Sequence, residues 1–368
     1  MRRLEPAETA PDAPGLIESS PGGIRIELAR GGSGSRARLA SNRPVHAVRV
    51  FERWPSDTAL RMLPRLFGVC GQAHRAAAAA ALGLHTDGAG AALRAETLRE
   101  HLLRVHLDGP ALLGLRPRVS LMPRLLRACE RVGESADEAC ALLERHTLGI
   151  APHEFLRIDD PGALRAWSRR HAASSPAAAL LEHVAGLPRL LPVDEPDRLA
   201  EVDLDQLRER IDGPDGDAFV ARPELDGACR QTGPYARHAD SALLRELRAA
   251  GEPLQARLAA RLRELALYAL SEPEPPCRGD GIARVETSRG TLVHRVLADA
   301  QGRIARWRVL APTEWNFHPR GAAARLLDAI PSELADAQRE HLARLVVHAV
   351  DPCVAFELRL RSAGDADA

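Results

Sequence analysis

The chain has 368 residues, and its 50 basic and 50 acidic side chains cancel to a formal net charge of zero. Apolar residues make up 45% of it, enough for a sizeable core, but only 3% are aromatic; the core must therefore be mostly Leu, Val and Ala, which favours helices. A neutral balance argues against nucleic-acid binding, which usually needs a basic surface. The longest wholly apolar run, 76–84, is too short to cross a membrane.

The N-terminal segment and the cysteines bear on where the protein works. Arg2 and Arg3 are followed by Glu5 and Glu8 rather than by an apolar segment, which argues against a secretory signal. The six cysteines lie far apart in the chain, so we expect reduced thiols in a cytoplasmic protein and not a disulfide framework. Residues 1–15 are rich in Pro, Ala and Glu and predict a disordered tail.

The first predicted elements are a strand pair and a helical body. Residues 24–28 alternate apolar and polar side chains, and a turn rich in Gly and Ser at 31–35 leads to a partner strand. From about residue 57 to 270 the pattern is mainly helical. One helix carries an apolar stripe at the spacing i, i+4, i+8, i+11, formed by Leu254, Leu258, Leu262 and Leu265.

The pattern changes after residue 272, where strands replace helices. Alternating and turn-bounded segments predict strands at 284–287, 292–297 and 304–310. A last helix is expected to begin near Ser332. It should stop at Asp351, because Pro352 disfavours helix in the residue before it and lacks an N–H donor.

These elements define the fold class as mainly α with small β elements (α+β). We expect one domain over 16–368, in which 16–272 hold the strand pair and the helical body and 273–368 hold the β elements and the last helix. The chain has no alternating βα series, so a doubly wound sheet is not expected.

Two cysteines stand where they could carry chemistry. Cys70 and His74 are four residues apart, one turn apart on a helix, and Cys353 follows the last predicted helix. Thiolate and imidazole bind borderline and soft transition metals, although a Cys and a His at this spacing are also common in a core. The sequence has no CxxC, HExxH, GxGxxG, GxxxxGK or GxSxG motif, so zinc-finger, Rossmann, P-loop and α/β-hydrolase readings lack support.

Five segments that follow one another in the same order resemble motifs of nickel–iron hydrogenase large subunits. They are similar to the family's opening strand, its RxCGxCxxxH, PRGxLxH and PTTWN…PR segments, and its C-terminal DPCxxCxxH, and they lie at 22–27, 65–74, 289–294, 312–320 and 351–356. Together they span nearly the whole chain. The resemblance implies a shortened large-subunit-like fold.

The departures from the family pattern concern nickel. In the family, each cysteine motif supplies two thiolates, and all four bind nickel. Here Phe67 and Phe356 stand in place of two of these cysteines, and Arg359 replaces the family's final histidine. Phenylalanine cannot act as a thiolate at any pH, so the resemblance implies no stable nickel.

The iron side of the family's centre is better kept. The family's iron carries two cyanides and one carbon monoxide. By resemblance, Cys70 is an iron ligand, Cys353 is a second thiolate, and His74 lies beside them in the metal site. Arg289 and Thr313 match residues that donate hydrogen bonds to the cyanides. Taken alone, Arg289 could equally be a surface ion-pair partner and Thr313 could close a turn.

Other residues receive supporting roles or none. The resemblance gives supporting positions to Arg65, Pro312 and Asp351, and it compares Glu52 with a glutamate that relays protons. His101 and His106 read as ordinary residues of a helix. Four cysteines match no family motif and are expected to be buried or incidental, namely Cys129, Cys140, Cys229 and Cys277.

The resemblance favours a maturation scaffold that is not an enzyme. Such a protein would hold the iron–cyanide–carbonyl unit transiently and aid its insertion into a hydrogenase large subunit. Its partners would be hydrogenase accessory proteins and that large subunit, with no nucleic acid and no membrane insertion. A metal-free mimic of the large subunit that binds maturation chaperones is the alternative. A degenerate but active redox enzyme is a third reading, and the count of nickel ligands argues against it.

Overall fold

The computed structural model describes residues 22–85 and 88–361, so the predicted tail lies outside the described residues. Helices dominate this part of the chain, as the sequence predicts. In chain order they are α1 (Ser56–Leu66), α2 (Gly71–Ala81), α3 (Ala89–Leu103), α4 (Gly109–Leu112), α5 (Met122–Glu130), α6 (Ala136–Leu143), α7 (Pro152–Phe155), α8 (Pro161–His171), α9 (Pro176–Ala185), α10 (Leu204–Asp212), α11 (Gly216–Ala221), α12 (Pro234–Arg237), α13 (Ala242–Ala249), α14 (Pro253–Leu270), α15 (Pro312–Asn316), α16 (Ala322–Asp328) and α17 (Asp336–Val350).

The strands form three small sheets. They are β1 (Ile24–Arg30), β2 (Ser35–Ser41), β3 (Asp197–Arg198), β4 (Arg230–Gln231), β5 (Cys277–Gly279), β6 (Ile282–Thr287), β7 (Gly290–Ala298), β8 (Ile304–Leu310) and β9 (Phe356–Leu360). β1 and β2 form the predicted antiparallel hairpin, and β5 to β8 form an antiparallel meander in chain order. The mainly α fold with small β elements is therefore confirmed. No helix in the described part combines the length and apolarity that a membrane crossing requires.

The core is built around α14 and α2. The stripe predicted on α14 is confirmed, because Leu254, Leu258, Leu262 and Leu265 are all buried. Seven of the eleven residues of α2 are alanines, and Ala76–Ala81 are buried where the helix packs against β6 and β7. Small side chains let this helix approach the sheet closely, which fixes the position of its first residues.

Two features at the C-terminal end differ from the sequence prediction. The last helix begins at Asp336 and not near Ser332. Ser332 is held by the β1–β2 hairpin, because its N–H donates to Ser33 O at 3.1 Å. After the helix, Phe356–Leu360 form β9, which pairs in parallel with β1. The pairing of β9 with β1 brings the end of the described chain back to its first strand, and no local sequence pattern predicts it.

Candidate metal centre

Cys70 lies directly before the first turn of α2. The residue after it, Gly71, lies so close to α1 that a Cβ atom there would come within 2.6 Å of Pro64 Cα. A glycine is therefore required at this approach. The same helix start is held by Glu96 on α3, whose carboxylate accepts the N–H groups of Gln72 at 2.8 Å and of Ala73 at 3.0 Å.

Cys353 is positioned by an irregular residue at the end of α17. Asp351 is buried and adopts a left-handed conformation with φ 64°, which a non-glycine residue holds only when its surroundings fix it. Its carboxylate lies 2.7 Å from Arg104 Nε and 3.3 Å from Arg289 Nε, and Arg261 stands further away. Burial alone would raise the pKa of this carboxyl, but the arginines lower it to about 2.

The two cysteines line one cavity of about 240 Å³, together with His74 and Arg289. Both thiols are half-buried, and all six cysteines of the chain are free. Burial, followed by the neighbouring Cys353, raises the pKa of the Cys70 thiol far above its ordinary value. Without a metal, Cys70 is therefore a neutral thiol, and a metal that binds it must displace the proton.

Arg289 occupies the tip of the β6–β7 hairpin, yet it is only 3% exposed, so it is an ion-pair partner, as one interpretation has it, but not at the surface. Its Nη2 donates to Glu100 Oε2 at 3.0 Å. Nη1 has a long contact of 3.4 Å to Ser288 Oγ, and Nε forms an ion pair with Asp351 Oδ1 at 3.3 Å without the alignment of a hydrogen bond. The guanidinium therefore keeps donor capacity in a buried place.

Thr313 contacts a cysteine. Its hydroxyl donates to Cys353 Sγ at 3.2 Å and lies 3.4 Å from the Cys353 N–H. The Thr313 side chain lines a second, larger cavity of about 600 Å³, and Arg43 lines both cavities. The hydroxyl is thus placed to hold the Cys353 thiol in one orientation.

His74 belongs to a buried chain of three rings. Trp307 Nε1–H donates to His294 Nδ1 at 3.0 Å, and His294 Nε2 lies 2.8 Å from His74 Nδ1. An indole N–H only donates, so His294 must carry its own proton on Nε2 and pass that hydrogen bond to His74. Burial lowers the pKa of both imidazoles, that of His294 to about 3. A neutral His74 therefore carries its proton on Nε2.

The two phenylalanines that replace cysteines lie in different surroundings. The Phe67 ring stacks on the His74 imidazole, with 3.6 Å between ring centroids and 4° between planes, and it lines the cavity. Phe356 begins β9 and packs against the main hydrophobic core. One phenylalanine therefore changes the cavity itself, and the other contacts the main core.

The supporting residues divide between the cavity and the surface. Pro312 lines the cavity, and Asp351 holds the arginines beside it. Arg65 is exposed near the end of α1, and the half-buried Glu52 follows the short helical turn Ala47–Phe51. Neither Arg65 nor Glu52 is among the described residues that line the cavity.

Sequence reasoning missed three residues of this site. Arg43 lines the cavity and forms a buried ion pair with Glu314, Glu96 holds the start of α2, and His294 sets the proton position on His74. Only His294 lay in a segment with a family motif. The other two come from elements that the fold brings together, and they carry no local signal.

The fold, with Cys70 and Cys353 on one cavity, is that of a nickel–iron hydrogenase large subunit. A solved nickel–iron–selenium hydrogenase from Desulfomicrobium baculatum matches with a TM-score of 0.55 at 14% identity, over 88% of this chain and 94% of that one. The family model described as nickel-dependent hydrogenase matches residues 219–357.

The chain belongs to the nickel-dependent hydrogenase large-subunit family. The relatives that match most of its length are named hydrogenase expression/formation proteins. HoxV of Cupriavidus necator is 33% identical, with 89% of this chain and 94% of HoxV covered. HupK of Rhizobium leguminosarum bv. viciae is 30% identical, with 94% of this chain and 97% of HupK covered.

Proposed function

We propose that the protein is a maturation scaffold that transiently holds an iron–cyanide–carbonyl unit for a nickel–iron hydrogenase large subunit. The observation that carries this proposal is the single cavity shared by Cys70, Cys353 and Arg289. It offers two sulfur ligands and a buried cation, which suit a soft metal centre with anionic ligands. The unit is the cargo of this protein and not its own cofactor.

The cavity is better suited to the iron half of the family's centre than to nickel. Phe67 fills the space beside His74 with an aromatic ring, and the half-buried Phe356 packs against the core. Two thiolates remain for a metal that takes four in the active enzymes. Fewer sulfur bonds also mean weaker retention, which suits a cargo that must leave.

Three side chains would serve the cargo through hydrogen bonds, two of them directly and one through Cys353. Arg289 is a buried cation whose Nη1 makes only a long contact to Ser288 Oγ, and a charge-assisted bond to cyanide would use this donor. Thr313 would orient Cys353 and, through it, the metal. His74 has its Nδ1 occupied by His294, so we assign its Nε2–H a donor role toward a sulfur or a cyanide instead of a ligand role.

The relatives that match most of the chain support an accessory role. HoxV and HupK are named expression/formation proteins and match this chain over 89% and 94% of its residues, and this chain lacks two of the four cysteines of the family pattern. We propose that it is not an enzyme. Its partners would be the accessory proteins that supply the iron unit and the large subunit that receives it.

Metal analysis of protein purified anaerobically with its maturation partners tests this function. We expect iron near one per chain, nickel far below one, and no hydrogen turnover. Iron should be lost in Cys70→Ser and retained in Cys277→Ser, a matched change at an exposed cysteine. Tightly bound nickel with hydrogen turnover would contradict the proposal. Absence of iron together with unimpaired maturation in Cys70→Ser cells would favour the metal-free mimic.

A further inference from the structure

A second group of ligand-type side chains lies outside the thiol cavity. Glu224, Cys229 and His318 each offer one ligand atom, and these atoms lie within 4.8 Å of one another. Cys229 Sγ lies 2.8 Å from His318 Nδ1, and His318 Nε2 lies 3.3 Å from Glu224 Oε1. Cys229 matched no motif in the sequence, and its role here comes from the fold.

A tight hairpin brings the thiol and the carboxylate together. Leu225 and Ala228 exchange both backbone hydrogen bonds, at 2.9 and 3.0 Å. The two residues between them, Asp226 and Gly227, have φ 53° and 73°. This is the backbone of a two-residue hairpin turn. Glu224 and Cys229 are the next pair outward, so their side chains lie directly opposite each other on one face.

The histidine faces this hairpin from the segment after α15. The N–H of Arg320 donates to His318 Nδ1 at 3.1 Å, so this nitrogen is an acceptor, and Cys229 Sγ lies 2.8 Å from the same nitrogen. Nε2 then carries the proton toward Glu224. The thiol and the imidazole are 2% and 5% exposed, whereas the half-buried Glu224 also pairs with Arg320.

One side of the group is open. His318 and Glu224 both line the larger cavity of about 600 Å³, beside Arg222. A metal held by the three side chains would therefore keep a fourth position toward this space. Three protein ligands plus one open position is the arrangement of reactive zinc sites, and thiolate, imidazole and carboxylate are the ligand types that zinc takes.

We propose that Glu224, Cys229 and His318 form a binding site for a borderline divalent metal such as Zn²⁺. The cation would replace the thiol proton, which leaves to solvent, and would bind Cys229 Sγ, His318 Nδ1 and a Glu224 oxygen. Tetrahedral zinc geometry puts sulfur and nitrogen ligands about 3.5 Å apart, so the observed contact must open by less than an ångström. The hydrogen bond from the Arg320 N–H would be displaced.

Cobalt is the probe for this site, because Co²⁺ bound to thiolate gives a charge-transfer absorption in the near ultraviolet. The full chain, stripped with a chelator, is titrated with Co²⁺ and then with competing Zn²⁺. To remove the other thiols that could bind, the titration is run in a Cys70→Ser/Cys353→Ser background. We expect one Co²⁺ per chain with a thiolate band, which Zn²⁺ displaces.

Variants of the three residues decide the assignment. Cys229→Ser should lose the thiolate band, and His318→Gln and Glu224→Gln should weaken Co²⁺ binding by more than about tenfold. Cys277→Ser is the matched control and should bind as the background does. Substitutions at the buried Cys229 and His318 could impair folding. Glu224 is only half-buried, so Glu224→Gln tests the site without that risk. A band that persists in Cys229→Ser, or no thiolate band in the background protein, would overturn the proposal.

Discussion

The Phe67 ring lies face to face on the His74 imidazole, 3.6 Å away and 4° from parallel. The family pattern has a cysteine at the position of Phe67. A phenylalanine at this position provides no thiolate, and its ring covers one face of the His74 imidazole. The edge of the same imidazole contacts His294 through a hydrogen bond. In the proposed scaffold, this single replacement would both remove a nickel ligand and hold the His74 ring in place.

Restoring the cysteine at this position should change metal preference. Phe67→Cys places a third thiol beside the cavity. We expect the affinity of this variant for Ni²⁺ to be at least about tenfold higher than that of the parent protein, since thiolates bind nickel strongly. Phe356→Cys alone should change nickel binding much less, because Phe356 packs against the main core. Equilibrium dialysis with Ni²⁺ measures both. Equal gains in the two variants would contradict the different surroundings assigned to these rings.

The two cavity cysteines should contribute unequally to iron loading. Cys70→Ser should abolish loading, because a serine hydroxyl is a far poorer ligand for low-spin iron than a thiolate is. Cys353→Ser should reduce loading only in part, since its family counterpart is a terminal nickel ligand. Iron content after co-production with the maturation proteins is the measurement, and Cys277→Ser is the control. Full loading of Cys70→Ser would refute the ligand assignment.

Arg289 should matter for stability as well as for cargo. Arg289→Leu leaves Glu100 without its buried partner and weakens the ion pairs of Asp351, so we expect the free energy of unfolding to fall by about 3 kcal/mol or more. Urea denaturation measures this change. Arg344→Leu, which removes an exposed pair within a helix, should leave the midpoint nearly unchanged. A similar midpoint for both variants would show that the buried pairs contribute little.

Cargo binding by Arg289 is better tested without that loss of charge. Arg289→Lys keeps the cation but replaces the planar fork with a single ammonium group. We expect weaker retention of the iron unit during gel filtration and a smaller loss of stability to urea than in Arg289→Leu, because the positive charge remains. Unchanged retention would argue against recognition of an anionic ligand by the guanidinium.

Thr313 should act through the orientation of Cys353. Thr313→Val keeps the shape of the side chain and removes the hydroxyl that donates to Sγ at 3.2 Å. The loss of one neutral hydrogen bond corresponds to about 0.5–1.5 kcal/mol, so iron retention should fall roughly two- to thirteenfold. Competition with an iron chelator measures it, and Thr313→Ser should restore retention. A Thr313→Ser variant as weak as Thr313→Val would point to a packing effect instead.

The buried ring chain predicts a specific pH behaviour. Burial lowers the pKa of His294 to about 3, whereas an imidazole in the unfolded chain titrates near 6.5. His294 therefore supports folding fully above pH 6.5, and this contribution is lost as the pH falls toward 3. Nitrogen NMR should show no titration of His294 between pH 8 and 5, with its proton on Nε2. In Trp307→Phe the tautomer is no longer fixed, and a spectrum unchanged in that variant would contradict the relay.

Local patterns predicted the elements of the fold but not the contacts between distant segments. The β1–β2 hairpin and the α14 stripe follow from alternation and helical spacing, and both were predicted. The pairing of β9 with β1 joins the two ends of the described chain, and no window of the sequence contains both. The same holds for Arg43 in the cavity wall and for the encounter of Cys229 with His318, because each depends on how separate loops pack.

The most direct test of the proposed function is the infrared spectrum in the cyanide and carbonyl stretching region, where the protein itself does not absorb. The full chain is purified anaerobically after co-production with the maturation proteins and compared with Cys70→Ser and Cys277→Ser. We predict two cyanide bands and one carbonyl band in the parent protein and in Cys277→Ser, and none in Cys70→Ser. A parent protein without these bands, although it supports hydrogenase maturation, would contradict the scaffold.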